Sequence, residues 1–249
     1  MLSVVIITKN EAQNVAICLN SLSGVADEII VIDSFSTDDT KEICEKYNVI
    51  FLQRAWEGYA ETKNWGNAQA KYDWVLSIDA DEALSPELRN SIVDLKKGGP
   101  QNYFYSFNRL TNYCGQWIRH GGWYPDTKLR LFDRRIAKWQ GAYAHEQLVF
   151  SQQINLIRLK GDCFHYSFNS IEQHVAKVNK YSSLVAQERL AKGRKGNFFR
   201  MILGPVTTFL KFYIIKVGFL DGKNGFIIAV ISAYDNFLRS AKMWQGKNQ

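Results

Sequence analysis

The sequence predicts an α/β domain, a mixed and mostly parallel sheet sandwiched by helices, followed by a helical, basic C-terminal extension. Three observations carry that expectation. Apolar runs of strand length alternate with helical patterns before residue 80. Each of the clearest runs ends on a polar, mostly acidic segment. Charge is also unevenly divided: residues 1–150 hold 16 Lys and Arg against 19 Asp and Glu, and residues 151–249 hold 15 against 5. The two parts therefore carry about −3 and +10 of the formal +7.

The elements follow in order. Val4–Thr8 reads as a strand, and Val15, Cys18, Leu19 and Leu22 recur at helical spacing behind it. Ile29–Asp33 is the second strand. Ser36 with Asp39 resembles a capping box, predicting a helix that carries Ile43, Cys44 and Tyr47. Val49–Gln53 reads as a third strand, Tyr59–Ala70 as a helix and Trp74–Ile78 as a fourth strand. Ser85, Pro86 and Glu87 supply an N-cap, a first-turn proline and an acid favoured by the helix dipole, opening a helix that Gly98, Gly99 and Pro100 stop.

Right-handed βαβ crossovers place the carboxyl ends of parallel strands on one sheet edge, where open α/β sheets bind ligands. The segments at those ends are TKNE (Thr8–Glu11), DSFSTDD (Asp33–Asp39) and DADE (Asp79–Glu82). Alternation along an extended backbone sends Asp79 and Asp81 to the same side. Two carboxylates there repel unless solvent, a cation or ligand hydroxyls compensate them. Neither the G-x-G-x-x-G fingerprint nor a P-loop is present, so phosphate must be held another way. A divalent cation is the economical solution, since Mg²⁺ takes one or two carboxylates and completes its shell with substrate phosphates.

At 249 residues, 46% hydrophobic and 14% aromatic, the chain has material for a large core and is not disordered. Four scattered cysteines fit no metal-ligand spacing and read as reduced thiols. The opening MLSVVIIT lacks a basic region and a cleavage site, which predicts no signal peptide and a cytosolic protein.

Taken together, VVIITKNE, VIDSFSTDDT, GYAETKNWG and LSIDADE resemble the inverting nucleotide-sugar glycosyltransferases of family 2, with the Rossmann-like GT-A fold, over roughly residues 1–150. HGGWYPDTKLRLF and WQGAYAHEQL are similar to a bacterial subgroup that adds a β-linked hexose, often glucose, to the inner core of lipopolysaccharide. The resemblance implies a nucleotide pocket lined by Thr8, Asn10 and Glu11, with Asp33 on the base and Lys63 on the base or pyrophosphate. It implies Asp79 near the ribose or sugar, and Asp81 as ligand to Mg²⁺ or Mn²⁺. His165 is a further candidate ligand or a core histidine. Glu82 departs from the plainest D-x-D pattern, and its role stays open between an acid supporting the ligands and a helix-start residue.

Inversion needs a carboxylate to take the proton from the acceptor hydroxyl. The resemblance points to Glu146, with Asp126 as runner-up. Trp117, Trp123 and Tyr124, with Arg119 and His120 among them, form either an acceptor platform or a hydrophobic patch holding a long loop. Arg119 or Arg130 would meet phosphate or carboxylate on an acidic acceptor.

The boundary between catalytic domain and extension is placed at residues 1–168 and 169–249. In the extension the longest charge-free stretch, Met201–Leu210, is ten residues, too short to span a bilayer. Apolar runs punctuated by Arg200, Lys211, Lys216 and Lys223 suit either the inner face of the cytoplasmic membrane or a core-packing hairpin with a basic face. The implied partners are a UDP-hexose donor and a glycolipid or polysaccharide acceptor. Competing readings are a nucleotidyltransferase, whose glycine-rich basic loop is missing, and a non-catalytic glycan or membrane-binding module. Nucleic-acid binding ranks last because no recognition motif accompanies the basic tail. Oligomeric state is not legible.

Overall fold

In the computed structural model, residues 1–99, 103–141 and 146–246 are described. The chain divides into two compact units, Met1–Arg109 with Asp126–His165, and Leu110–Pro125 with Tyr166–Gln249. The segment Leu110–Pro125, assigned from sequence to the catalytic domain, thus groups with the C-terminal helices.

The first unit opens with β1 (Ser3–Thr8), α1 (Val15–Ser21), β2 (Glu28–Asp33), α2 (Thr40–Cys44), β3 (Ile50–Gln53), α3 (Tyr59–Gln69) and β4 (Trp74–Asp79). β5 (Glu82–Leu84) and α4 (Pro86–Gly98) follow, then β6 (Tyr103–Tyr113), β8 (Asp126–Asp133), β9 (Ala137–Gln140), β10 (Gln147–Phe150) and β11 (Asn155–Phe168), with β7 (Gln116–Ile118), between β6 and β8 in the chain, falling in the second unit. The main sheet runs β3-β2-β1-β4-β8-β6-β11-β5, and β9 and β10 form a separate hairpin. β1 is parallel to both β2 and β4, in a register that sets Thr8 beside Asp33 and Ile7 beside Asp79. From β4 outward the pairing turns antiparallel.

Alternate β1 residues feed two cores, which is the signature of a sheet covered on both faces. Val4 and Ile6 pack with α1 residues Val15 and Leu19 and α4 residues Leu88 and Ile92. Val5 and Ile7 pack with Ile30, Ile32 and Ala60 of α3. Gly66 lets α3 approach closely: a Cβ there would stand 2.7 Å from Val5 Cγ1 and 3.0 Å from Ile32 Cγ1.

The N-cap expected at Ser85 is present, its Oγ accepting from Leu88 N at 3.2 Å. The stop expected at Gly98–Pro100 falls at Gly99, with φ 74°; Pro100 lies outside the described residues. The capping box expected at Ser36 is absent. α2 starts at Thr40 after Asp39, and Tyr47 lies beyond its end. Ser36 instead turns back to Asp33, whose carboxylate accepts from both its N–H and its hydroxyl.

The second unit contains α5 (Ile171–Ala191), α6 (Phe198–Leu210) and α7 (Gly222–Gln245). α6 runs on into a π-helical turn, Lys211–Ile215, and a 3₁₀ turn, Gly218–Asp221, leads into α7. Asn197 caps α6 by accepting from Arg200 N at 3.0 Å. This continuity corrects the expectation drawn from charge-free length. Phe198–Ile215 forms 18 helical residues of mean hydropathy 1.4, long and apolar enough by length and composition to cross a membrane. Arg200 and Lys211 lie within that helix without interrupting it.

His174 of α5 is buried against Tyr113, its Nδ1 3.1 Å from the phenol oxygen. Burial, with Lys177 adding repulsion, pushes its pKa down to about 4. The unfolded chain therefore binds a proton below pH ~6.5 that the folded chain refuses, so stability rises with pH through this window and is lost on acidification. His174→Gln is expected to remove about 2 kcal/mol of the loss between pH 7 and 5. Urea unfolding at the two pH values checks this, and equal pH slopes for variant and wild type would refute it.

Candidate active site

Two loops meet past the carboxyl ends of β1 and β2. Asn10, with φ 55°, donates its N–H to Ser36 Oγ at 2.8 Å and accepts from Thr37 N at 2.8 Å through Oδ1. Glu11 N donates to Thr40 Oγ1 at 2.9 Å. Asp33 is fully buried and also accepts from Gln53 Nε2 at 3.1 Å, so its carboxylate organises the loop that crosses the pocket. The buried hydroxyls of Thr8 and Ser77 have no hydrogen-bond partner among the described residues. A buried hydroxyl without a partner is costly, and Thr8 stands at the strand end where a ligand can supply one.

The motif GYAETKNWG builds one wall. Asn64 uses its side-chain amide as a surrogate strand, donating to Trp139 O at 2.8 Å and accepting from Trp139 N at 2.9 Å. This fixes β9 on α3, and the β9–β10 hairpin carries Glu146 just before Gln147, which pairs with Gln140. Ala142–His145 of WQGAYAHEQL lie outside the described residues. Lys63, fully buried, points between two acids: its Nζ lies 3.1 Å from Asp79 Oδ1 and 3.0 Å from Glu146 Oε1, and 4.9 Å from the Trp139 ring centre. The cation expected to reach the donor is thus a bridge between the acid of β4 and the acid after β9.

Behind Asp79 sits a second layer of charge. Arg130 Nη2 lies 3.2 Å from Asp79 Oδ2, and Arg109 Nη1 lies 3.2 Å from Glu82 Oε1. Glu82, 1% exposed, also accepts from Asp79 N at 3.0 Å. It does not start a helix, since it lies in β5, and it faces Arg109 and Arg130 from behind Asp79. Burial works against ionising Asp79, but Lys63 and then Arg130 outweigh it and hold its carboxyl well below the usual range. Arg130 is 5% exposed, so it supports the crevice floor and is not presented to an acceptor.

Asp81 and His165 pair directly, Oδ2 to Nε2 at 3.2 Å. β5 and β11 pair with His165 opposite Glu82, which delivers the imidazole to the turn that holds Asp81. A carboxylate oxygen and an imidazole nitrogen on one lip are a donor set that Mn²⁺ or Mg²⁺ accepts. Among the described residues no set of three His, Cys, Asp or Glu is grouped to hold a metal, so the remaining positions would fall to phosphate and water.

Asp126 is clamped by Arg109 at 2.8 Å and Lys128 at 2.9 Å. Burial raises its pKa, but Arg109 and Lys128 outweigh that and lower it overall. A lowered carboxyl is a weak proton acceptor, which disfavours the runner-up base. In the second unit, Trp123 is partly buried and packs edge-on against Tyr113 at 5.8 Å and tilted against Phe168 at 5.9 Å. Arg119 lies over the Tyr124 ring at 5.6 Å, and His120 Nδ1 is 2.9 Å from Asp221 Oδ1. Asn64 and Arg109 escaped the sequence reading. Asn64 was legible as the polar neighbour of Lys63, whereas nothing local marks Arg109.

Residues 3–173 match Glycosyl transferase family 2. An uncharacterised glycosyltransferase of Rickettsia typhi is 35% identical over 97% of this chain and 86% of its own length. The lipopolysaccharide core biosynthesis glycosyltransferase LpsC of Rhizobium meliloti is 30% identical over 98% of this chain and 92% of its own. Among solved structures, S. aureus TarS aligns with a TM-score of 0.46 at 16% identity, over 74% of this chain and 39% of that one. Glucosyl-3-phosphoglycerate synthase of Mycobacterium tuberculosis, in complex with Mn²⁺ and UDP, aligns with a TM-score of 0.38 at 23% identity, over 45% of this chain and 44% of that one. With its GT-A sheet, its acidic crevice and a family match over most of its length, the chain belongs to glycosyltransferase family 2 and is a glycosyltransferase.

Proposed function

We propose that the enzyme transfers a hexose, glucose by the sequence resemblance, from a UDP-sugar to a lipopolysaccharide core or related envelope glycolipid with inversion. The observation that carries this reading is the Lys63 bridge between Asp79 and Glu146. It couples an acid at the donor end of the parallel strands to an acid on the facing hairpin. Thr8, Asn10 and Glu11 border the nucleotide pocket, while Asp33 keeps the facing loop in shape. The name of the Rhizobium relative supports the acceptor class.

Glu146 takes the proton from the acceptor hydroxyl as that oxygen attacks the anomeric carbon from the side opposite the leaving diphosphate, which inverts the configuration. Arg130 and Lys63 offset the carboxylates so that Asp79 stays ionised and oriented beside the sugar. Asp81 and His165 would hold a divalent cation, which would supply Lewis-acid neutralisation of the leaving diphosphate.

Calorimetry with UDP, and GDP for comparison, with and without Mn²⁺ tests the donor assignment. UDP is expected to bind only with metal. Asp81→Asn is expected to weaken that binding by at least about tenfold, the usual scale for disturbing a metal ligand or its support. Metal-independent UDP binding, or unchanged binding by Asp81→Asn, would remove Asp81 from the site.

A further inference from the structure

We propose that α6, α7 and their connecting turn form a docking element that lies in the surface of an anionic phospholipid bilayer, and that the Arg119–Gly122 loop is fastened to it. The first observation is an inversion of the ordinary helix pattern, in which apolar residues face the protein and polar ones face water. The exposed positions of α6 include Phe199, Ile202, Leu203, Val206 and Leu210, each 48–73% exposed. Their spacing of three and four residues makes one apolar stripe. The opposite side meets α7 so closely that a Cβ on Gly204 would stand 2.4 Å from Asn236 Oδ1. α7 exposes a stripe of its own, Phe226, Val230, Tyr234 and Phe237, at 38–48%. The turn adds Ile215 and Leu220, exposed by 73% and 59%.

Charge decides what covers this face. Between residues 189 and 245 the chain carries ten Lys or Arg and two acids, Asp221 and Asp235, the latter paired with Arg239 at 2.5 Å. Asp221 is 5% exposed and turned inward, accepting from His120 N at 2.8 Å and Arg119 N at 3.3 Å. Both acids of this stretch are thus engaged with protein partners, and its net charge is strongly positive. A second copy docked face to face would oppose like charges. An anionic lipid surface meets both the stripes and the lysines, whose long stems let the ammonium groups reach the head groups. The arrangement also favours lying over spanning. Lys211 is roughly 16 Å along the axis from Arg200, and a perpendicular helix with Arg200 in one head-group layer would hold Lys211 in hydrocarbon.

The same element holds the Arg119–Gly122 loop. Gly121 N donates to Lys216 O at 2.9 Å, and a Cβ on Gly122 would stand 3.3 Å from the Phe212 ring. Docking thus sets this loop at head-group level, where a lipid-linked sugar would be met; this last consequence alone rests on the glycolipid reading.

Flotation of the full chain with vesicles, in the absence of donor and acceptor, tests docking separately from the donor assignment. Phosphatidylcholine vesicles are compared with vesicles that also contain phosphatidylglycerol. Binding to the anionic vesicles is expected to be at least about tenfold stronger and to weaken with salt. Ile215→Glu with Leu220→Glu is expected to weaken it by at least about tenfold, with an unchanged thermal midpoint because both positions are exposed. Phe199→Gln gives the same direction at a separate position. Lys211→Gln with Lys216→Gln is expected to reduce the preference for anionic lipid. Wild type that binds neither vesicle, or a glutamate variant that floats like wild type, would overturn the proposal. A vesicle-free dimer that Ile215→Glu splits would assign the face to a second copy and also overturn it.

Discussion

Lys63→Met is expected to destabilise the protein by about 3–5 kcal/mol at neutral pH, the range for removing one partner from a buried ion pair. Nζ is the shared partner of Asp79 and Glu146, and the side chain is inaccessible to solvent. Methionine matches the volume, so the effect isolates the charge. Arg130 still faces Asp79, but Glu146 loses its ammonium partner. The pH dependence gives the sign. Asp79 has a folded pKa below its unfolded value, so its stabilisation is present above the ordinary carboxylate range and fades as pH falls toward the folded pKa. The gap between wild type and variant should therefore be widest near neutrality and narrow below pH ~4. Urea unfolding across that range checks both points. A gap that is absent at pH 7, or that widens on acidification, would show that Lys63 does not hold the cluster.

Glu146→Gln is expected to lower the rate of transfer by about 10²–10⁴-fold, the usual contribution of a positioned proton acceptor. The substitution keeps the shape and retains an oxygen that can accept from Lys63, so donor binding should persist. The separation of the two effects is the informative part: calorimetry should give UDP affinity close to wild type while steady-state assays show kcat collapsing. Asp126→Asn is the companion measurement. Its carboxylate is tied to Arg109 and Lys128, so stability should fall more than the chemical step. Transfer by Glu146→Gln at the wild-type rate, with Asp126→Asn inactive but stably folded, would exchange the two roles.

The parallel half of the fold was legible because its signals are local. Val4–Thr8 and Ile29–Asp33 are apolar runs with polar ends, and Ser85-Pro86-Glu87 spells a helix start within three residues. Asp79, Asp81, Lys63 and Glu146 were named from short motifs, and three of the four fall into one ion network. The antiparallel half was illegible for the opposite reason. β5 is three residues long and finds its partner in β11, about eighty residues later. No periodicity announces such a pairing. Arg109 was hidden likewise, and so were the partners of Arg130, since a cation's partner depends on which strands lie side by side. Ser36 misled because serine bonds equally well to a helix end or to a neighbouring carboxylate, and only the buried Asp33 settled the choice.

The order in which these charges occur along the chain has a consequence for how the first unit assembles. During synthesis Lys63, Asp79 and Glu82 emerge well before Arg109 and Arg130, and Glu146 and His165 come later still. A fragment ending near residue 100 would contain the parallel strands yet leave Glu82 without the guanidinium groups that neutralise it. Only when β6 and β8 have joined the sheet does Glu82 meet Arg109 and Arg130. The crevice is therefore completed by distant pairings, and a shorter fold holds only the Lys63–Asp79 contact of its ionic network. Such an arrangement ties the appearance of a working site to completion of the sheet.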